Sequence, residues 1–199
     1  MSSRSRSEGF TLIEILIVLT LIGIVSVGIY SFTVTSGINY LRMHEDGLRF
    51  SELSEKSQRI SRVLRGGGDI TEATNDAITI YAYFSPADQY YSLIRYYKDP
   101  TNTKIMADVT PMTSNPPIGT PITAQKVTYT ILDDFYNDPT SKTFEYLDSA
   151  GAVMALPIAD NHTIKGLRVN LMTASPRSPA TTKTAISADV SLRNRKTNL

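Results

Sequence analysis

Residues 10–32 form one apolar block, and Glu14 is the only charged side chain in it. A helix of that length reaches about 35 Å, against about 30 Å for the hydrocarbon core of a bilayer. The pattern predicts a membrane-crossing helix over 10–32. Beyond it, over 38–68, the apolar positions take a helical period. Ile38, Leu41, Leu48, Leu53, Ile60, Val63 and Leu64 fall within an arc of about 160°. Glu45, Glu52 and Lys56 interrupt that arc, while Glu52–Lys56 and Glu55–Arg59 stand four residues apart in the favoured order. This predicts an amphipathic stalk helix over 33–65. Gly37 should weaken it, and the run Gly66, Gly67, Gly68 should stop it, glycine readily taking the left-handed cap conformation.

After Gly68 the period shortens. "AITIYAYF" (77–84) and "YYSLIRYYK" (90–98) are rich in β-branched and aromatic residues and predict a hairpin closed by "SPADQ". "TNTKIMADVTPMTSNPPIGTP" (101–121) carries four prolines and reads as loop or sheet edge. Strands are expected over 126–132 and 142–148, with the loop "DDFYNDPTS" between them. "AGAVMALPI" (150–158) is ambiguous. Residues 163–175 and 183–194 read as a last hairpin across a Pro/Ser/Thr loop. The expected fold class is α+β: a long N-terminal helix, membrane half then amphipathic half, followed by a mainly antiparallel β-sheet head.

Composition narrows the chemistry. Twenty Lys and Arg against nineteen Asp and Glu give a formal net charge of +1, so there is no clear nucleic-acid signal. Absence of cysteine excludes disulfides, thiolate zinc sites and cysteine nucleophiles. The two histidines, His44 in the stalk and His162 in a polar loop, read as solvated surface residues. No G-x-S-x-G, H-E-x-x-H or phosphate-loop pattern is present, so neither an enzyme nor a cofactor is expected. Asp133, Asp134, Asn137 and Asp138 offer oxygen ligands of the kind calcium takes, but they lack EF-hand order and are also ordinary turn residues. The tyrosines at 81, 83, 90, 91, 96 and 97 are either half-buried sheet residues or an outward surface that stacks on a ligand or neighbour. Arg193, Arg195 and Lys196 make a small basic end, read as a solvated terminus.

Arg4 and Arg6 precede the apolar block, which keeps that end cytoplasmic and places the rest of the chain outside. A carboxylate at the centre of a membrane helix costs roughly 3 kcal/mol, so Glu14 needs a reason. Three readings compete. A cleavable secretory signal would have a shorter apolar region, no acid, and a better cleavage site than the small residues between Val25 and Gly28. A plain anchor would tolerate Glu14 near the interface. The third reading is a cut on the cytoplasmic side, before the block.

Gly9, Phe10, Thr11, Leu12, Ile13 and Glu14, followed by "ILIVLTLIGIVSVGI", resemble the N-terminus of type IV prepilins and pseudopilins. The resemblance implies a pilin-like fold and cleavage after Gly9 by a membrane prepilin peptidase, which then methylates the new amine of Phe10. It implies that Glu14, fifth in the mature chain, meets the terminal amine of a neighbouring subunit during assembly. Implied partners are that peptidase, other pilin or pseudopilin subunits, and indirectly an assembly ATPase with its membrane platform. The implied location is the bacterial cytoplasmic membrane, single-pass with the head outside, then a cell-surface or periplasmic filament. The expected division is a leader over 1–9, a transmembrane assembly helix over 10–32, a stalk helix over 33–65 and a head over 66–199. The leader is short and basic as the family expects, although Glu8 departs from that pattern. Gly23, Ser26 and Gly28 permit close helix packing or are ordinary membrane-helix composition.

A second resemblance covers the C-terminal quarter. "TFEYLDSAGA", "IKGLRVNLMTAS" and "ADVSLRNR" are similar in order to large minor pilins and J-type pseudopilins, whose last strand carries a Leu-Arg-Asn motif matched by Leu192, Arg193 and Asn194. The reading favoured is a minor pilin; a type II secretion pseudopilin and, from another class, a membrane-anchored exported binding domain with an uncut N-terminus are the alternatives. Pilus, secretion and DNA-uptake systems share this N-terminal physics and stay open.

Overall fold

Helix α1 runs without a break over Leu12–Arg65 in the computed structural model, which describes residues 11–174 and 183–193. It passes through Gly37, contrary to the expected weak point: one glycine costs only about 1 kcal/mol relative to alanine, and the turns on either side are intact. Two hydroxyls in the apolar part turn back onto the helix. Thr20 Oγ1 donates to the Leu16 carbonyl at 2.8 Å and Thr33 Oγ1 to that of Ile29 at 2.9 Å, so neither needs water. By its contacts the chain divides into two compact units, Met1–Glu45 and Asp46–Leu199.

In the first unit, every residue over 11–44 is exposed. Ile38 and Leu41 belong to the expected apolar stripe, yet they are 43% and 50% exposed. The stripe becomes a buried face only further on, in the second unit. There Leu53, Ser57, Ile60, Ser61, Val63 and Leu64 are buried at three- and four-residue spacings, while Leu48 is 59% exposed.

The rest of the second unit is antiparallel sheet. β1 (Ile70–Ala73), β2 (Ala77–Ala82), β3 (Ser92–Lys98), β4 (Ile105–Pro111) and β5 (Val127–Leu132) form a five-stranded meander in chain order. β6 (Phe144–Leu147), β7 (Gly166–Ala174) and β8 (Lys183–Ser191) form a second sheet of three. The register aligns Ile80, Ile94, Val109 and Val127 in one row and Ile78, Tyr96, Ala107 and Tyr129 in the next. These rows line the core face. The opposite face carries a polar net in which Arg95 Nε meets Glu72 at 2.9 Å, and Lys126 and Thr128 reach Asp108, each at 2.6 Å.

Two strands differ from expectation. β1 is only four residues long, too short for alternation to register. β4 lies between β3 and β5, inside the segment expected to be loop or edge. All four prolines of that segment sit at the last residue of β4 or beyond it, so they interrupt no ladder. Ile105, Ala107 and Val109 give β4 an ordinary buried face.

The glycine run ends α1, but not through a left-handed cap. Among the described residues the glycine with positive φ is Gly151, at 79°. Gly67 is needed for closeness instead: a Cβ there would strike Cδ1 of Ile80 on β2. The neighbouring Gly68 N–H donates to the Tyr81 carbonyl at 2.7 Å, which fixes the return of the chain onto the sheet.

One core joins α1 and both sheets, from Leu53 and Ile60 through Ile80 and Ile94 to Phe144, Leu167 and Val190. Hydrogen bonds stitch the sheets together. The buried Tyr146 hydroxyl donates to the carbonyl of Thr74 at 2.8 Å, and Phe144 N–H to that of Asn75 at 3.0 Å. In the segment after β5, Phe135 N–H donates to Thr103 and Tyr136 N–H to Met172, at 2.8 and 2.7 Å.

Candidate assembly site

Thr11 stands immediately before the first helical residue, and Glu14 in the first turn. Thr11 Oγ1 accepts from Glu14 N–H at 3.3 Å. In return, Glu14 Oε2 accepts from Thr11 N–H and from Thr11 Oγ1, both at 3.0 Å. This is a reciprocal capping box, which satisfies backbone donors that a helix start otherwise leaves open. The spacing T-x-x-E is the sequence signal for this cap, a role for Thr11 and Glu14 beyond those expected from the motif. Both bonds fall on Oε2, and Oε1 accepts no hydrogen bond from the described residues. Glu14 therefore sits at the very start of α1, where the helix dipole favours an anion. Gly9 and Phe10 lie outside the described residues.

Beyond the cap the helix presents bare apolar surface on all sides. Leu12 is 83% exposed, Phe32 74%, and an 18-residue window has mean hydropathy 2.7 with none of it buried. The helix is long and apolar enough to cross a membrane. At about 25 cal/mol per Å² of apolar area, such a surface is stable only in lipid or against other helices. A Cβ added at Gly23 or Gly28 would find no atom within 4 Å, so both positions are open in the single chain.

The other candidates resolve differently. The four oxygen-bearing residues considered for calcium diverge to separate partners. Asp133 pairs with Lys104 at 2.9 Å, and Asp134 approaches Arg49 at 3.9 Å. Asn137 accepts from Lys98 at 2.9 Å, and Asp138 accepts from Thr140 N–H and Oγ1 at 2.9 and 2.7 Å. Among the described residues no group of three His, Asp or Glu side chains converges. His44 is exposed with its ring 6.4 Å from that of Tyr40, and His162 is 76% exposed beside Asp69. The six tyrosines divide. Tyr96 is a core residue whose hydroxyl pKa burial pushes up; Tyr81, Tyr91 and Tyr97 are half-buried; Tyr83 and Tyr90 are exposed. Leu192 is fully buried just past β8, Arg193 is exposed, and Asn194, Arg195 and Lys196 lie outside the described residues.

A capped, uncovered apolar helix continuing into an antiparallel β-sheet head defines a helix-anchored α+β protein with a pilin-like arrangement of elements. Residues 4–30 match the family model described as the prokaryotic N-terminal methylation motif, a span that includes Gly9, Phe10, Glu14 and most of the apolar block. The match supports a protein of the type IV prepilin and pseudopilin family, and with it membrane anchoring, processing by prepilin peptidase and assembly with other pilins. No curated protein matches the chain.

Proposed function

We propose that the chain is a minor pilin: a structural, non-catalytic subunit of a type IV pilus-like filament, assembled through its N-terminal helix. The observation that carries this is the methylation motif laid over a capped Glu14 at the start of a wholly uncovered apolar helix. Cleavage after Gly9 removes the leader, 1–9, and leaves a methylated amine on Phe10. The Oε1 edge of Glu14 then meets the corresponding amine of a neighbouring subunit, so that each charge offsets the other's desolvation. Residues 10–32 act in the membrane and filament core, 33–65 as stalk and 66–199 as the exported head. The assembly ATPase and its membrane platform are indirect partners.

The C-terminal order of β6, β7 and β8, with Leu192 and Arg193 closing it, supports a minor rather than a major subunit through its likeness to J-type chains. The same likeness favours a second reading, a type II secretion pseudopilin. Mass spectrometry of the protein purified from its native cell tests the first step: a terminus at methylated Phe10 is expected, and an intact Met1 or a start beyond residue 25 overturns the proposal. Electron microscopy with a tagged head separates the two readings, since a pilus subunit labels surface filaments and a secretion subunit does not.

A further inference from the structure

The core face of the five-stranded sheet extends beyond what α1 covers. Ile80, Ile94 and Val109 are buried, but their row ends at Val127, 47% exposed, and the next row ends at Tyr129, 40% exposed. A groove of about 490 Å³ opens there, between Arg59 of α1, the β2–β3 loop and β5. That volume lies in the range of small-molecule sites, about 300–1,000 Å³.

The wall of the groove is a stack. The Arg59 guanidinium lies 5.1 Å from the Phe84 ring centroid, and Phe84 lies 5.0 Å from Tyr129 with the ring planes 27° apart. A guanidinium held over a ring keeps its N–H groups directed outward in its own plane. Among the described residues Arg59 has no carboxylate partner. Asp88 also lines the groove, and its Oδ2 accepts the N–H groups of Phe84 and Ser85 at 3.0 and 2.8 Å. That closes the β2–β3 turn, holds the carboxylate in place and leaves Oδ1 for another donor. The amides of Gln89 and Gln125 complete the polar rim.

This lining combines a group that only donates, a group that only accepts, and amides that do both. An anionic ligand would face Asp88, and a cationic one would face Arg59. Hydroxyl groups donate and accept, and so suit both. The Tyr129 ring, 40% exposed and lining the groove, suits a flat array of C–H groups. We propose that the groove binds a neutral saccharide, its ring stacked on Tyr129 and its hydroxyls held by Arg59 and Asp88. Arg59 lies on α1 beyond the apolar segment 10–32 and the other residues lie outside the helix, so the site is independent of the pilin reading.

The test is calorimetric titration of the full chain in a detergent without a sugar headgroup. The titrants are neutral di- and trisaccharides of glucose, galactose, mannose and N-acetylglucosamine, with acidic saccharides, nucleotides and peptides titrated for comparison. Saturable binding of at least one is expected. Tyr129→Ala and Arg59→Met should each weaken it at least about tenfold, while Tyr83→Ala, outside the groove, leaves it unchanged. Thermal unfolding by circular dichroism checks that each variant is folded; Arg59→Lys, which keeps the charge but not the planar fork, serves if Arg59→Met is not. The proposal is overturned by an absence of saturable binding up to about 10 mM, by binding that survives both groove variants, or by binding only of acidic saccharides, nucleotides or peptides.

Discussion

A glutamine in place of Glu14 keeps the acceptor a capping box needs and removes the negative charge. Thr11→Ala does the reverse: it removes the cap, at a cost of about 1 kcal/mol to the helix start, and keeps the charge. If charge drives assembly, Glu14→Gln subunits remain in the membrane while Thr11→Ala subunits still enter filaments, in reduced number. The yield of sheared filaments measures both; equal yields from Glu14→Gln and the unmodified chain would remove the charge from the account. A second residue pair makes the head's stability depend on pH. The hydrogen bond from Arg95 holds the Glu72 carboxyl below the usual carboxylate range, against a smaller opposing effect of burial. A depressed pKa contributes stability that is present above the ordinary value and lost as pH falls through the folded value. The melting temperature of the full chain in detergent should therefore fall on acidification below about pH 4.3. Glu72→Gln should lower it at neutral pH and flatten that acid slope. Both groups are partly exposed, so the effect is modest.

At the scale of elements, α1 is two structures in one continuous helix. Leu53→Ala or Ile60→Ala removes a fully buried side chain and should cost about 2–5 kcal/mol in denaturant unfolding. Leu48→Ala, one turn earlier and exposed, should stay within about 0.5 kcal/mol. The glycine run makes the same point more finely. A Cβ at Gly66 meets only ordinary contacts, nearest 3.7 Å, whereas one at Gly67 runs into Ile80. Gly66→Ala should be tolerated and Gly67→Ala should destabilise by about 1–3 kcal/mol. The helix stop could be read from three consecutive glycines, but the reason for Gly67 could not, because Ile80 approaches it only across the fold. β4 departs from the expected loop or edge for a related reason. Proline count over a window says nothing about whether the prolines fall inside the ladder or just past its end.

For the whole molecule, the absence of cysteine supplies a clean background for topology. A single cysteine at Thr101, an exposed position between β3 and β4, should react with a membrane-impermeant maleimide in cells whose outer layers are permeabilised. One at Ser5 in the leader, followed in cells that lack the prepilin peptidase so that the leader is retained, should not. Labelling of Ser5→Cys and protection of Thr101→Cys would invert the proposed orientation.

The order of an apolar helix, an amphipathic helix and antiparallel strands was legible along the chain, because each is a local periodicity of three to four or of two residues. So was the processing motif, which lies in six consecutive residues and the apolar block after them. Three-dimensional contact decided the remainder. It decided that only the last four stripe positions are buried, that β4 is an interior strand, and that the suspected calcium ligands diverge to Lys104, Arg49, Lys98 and Thr140. Burial and charge pairing depend on which distant segments arrive beside a residue, and no pattern confined to its neighbours in the chain records that.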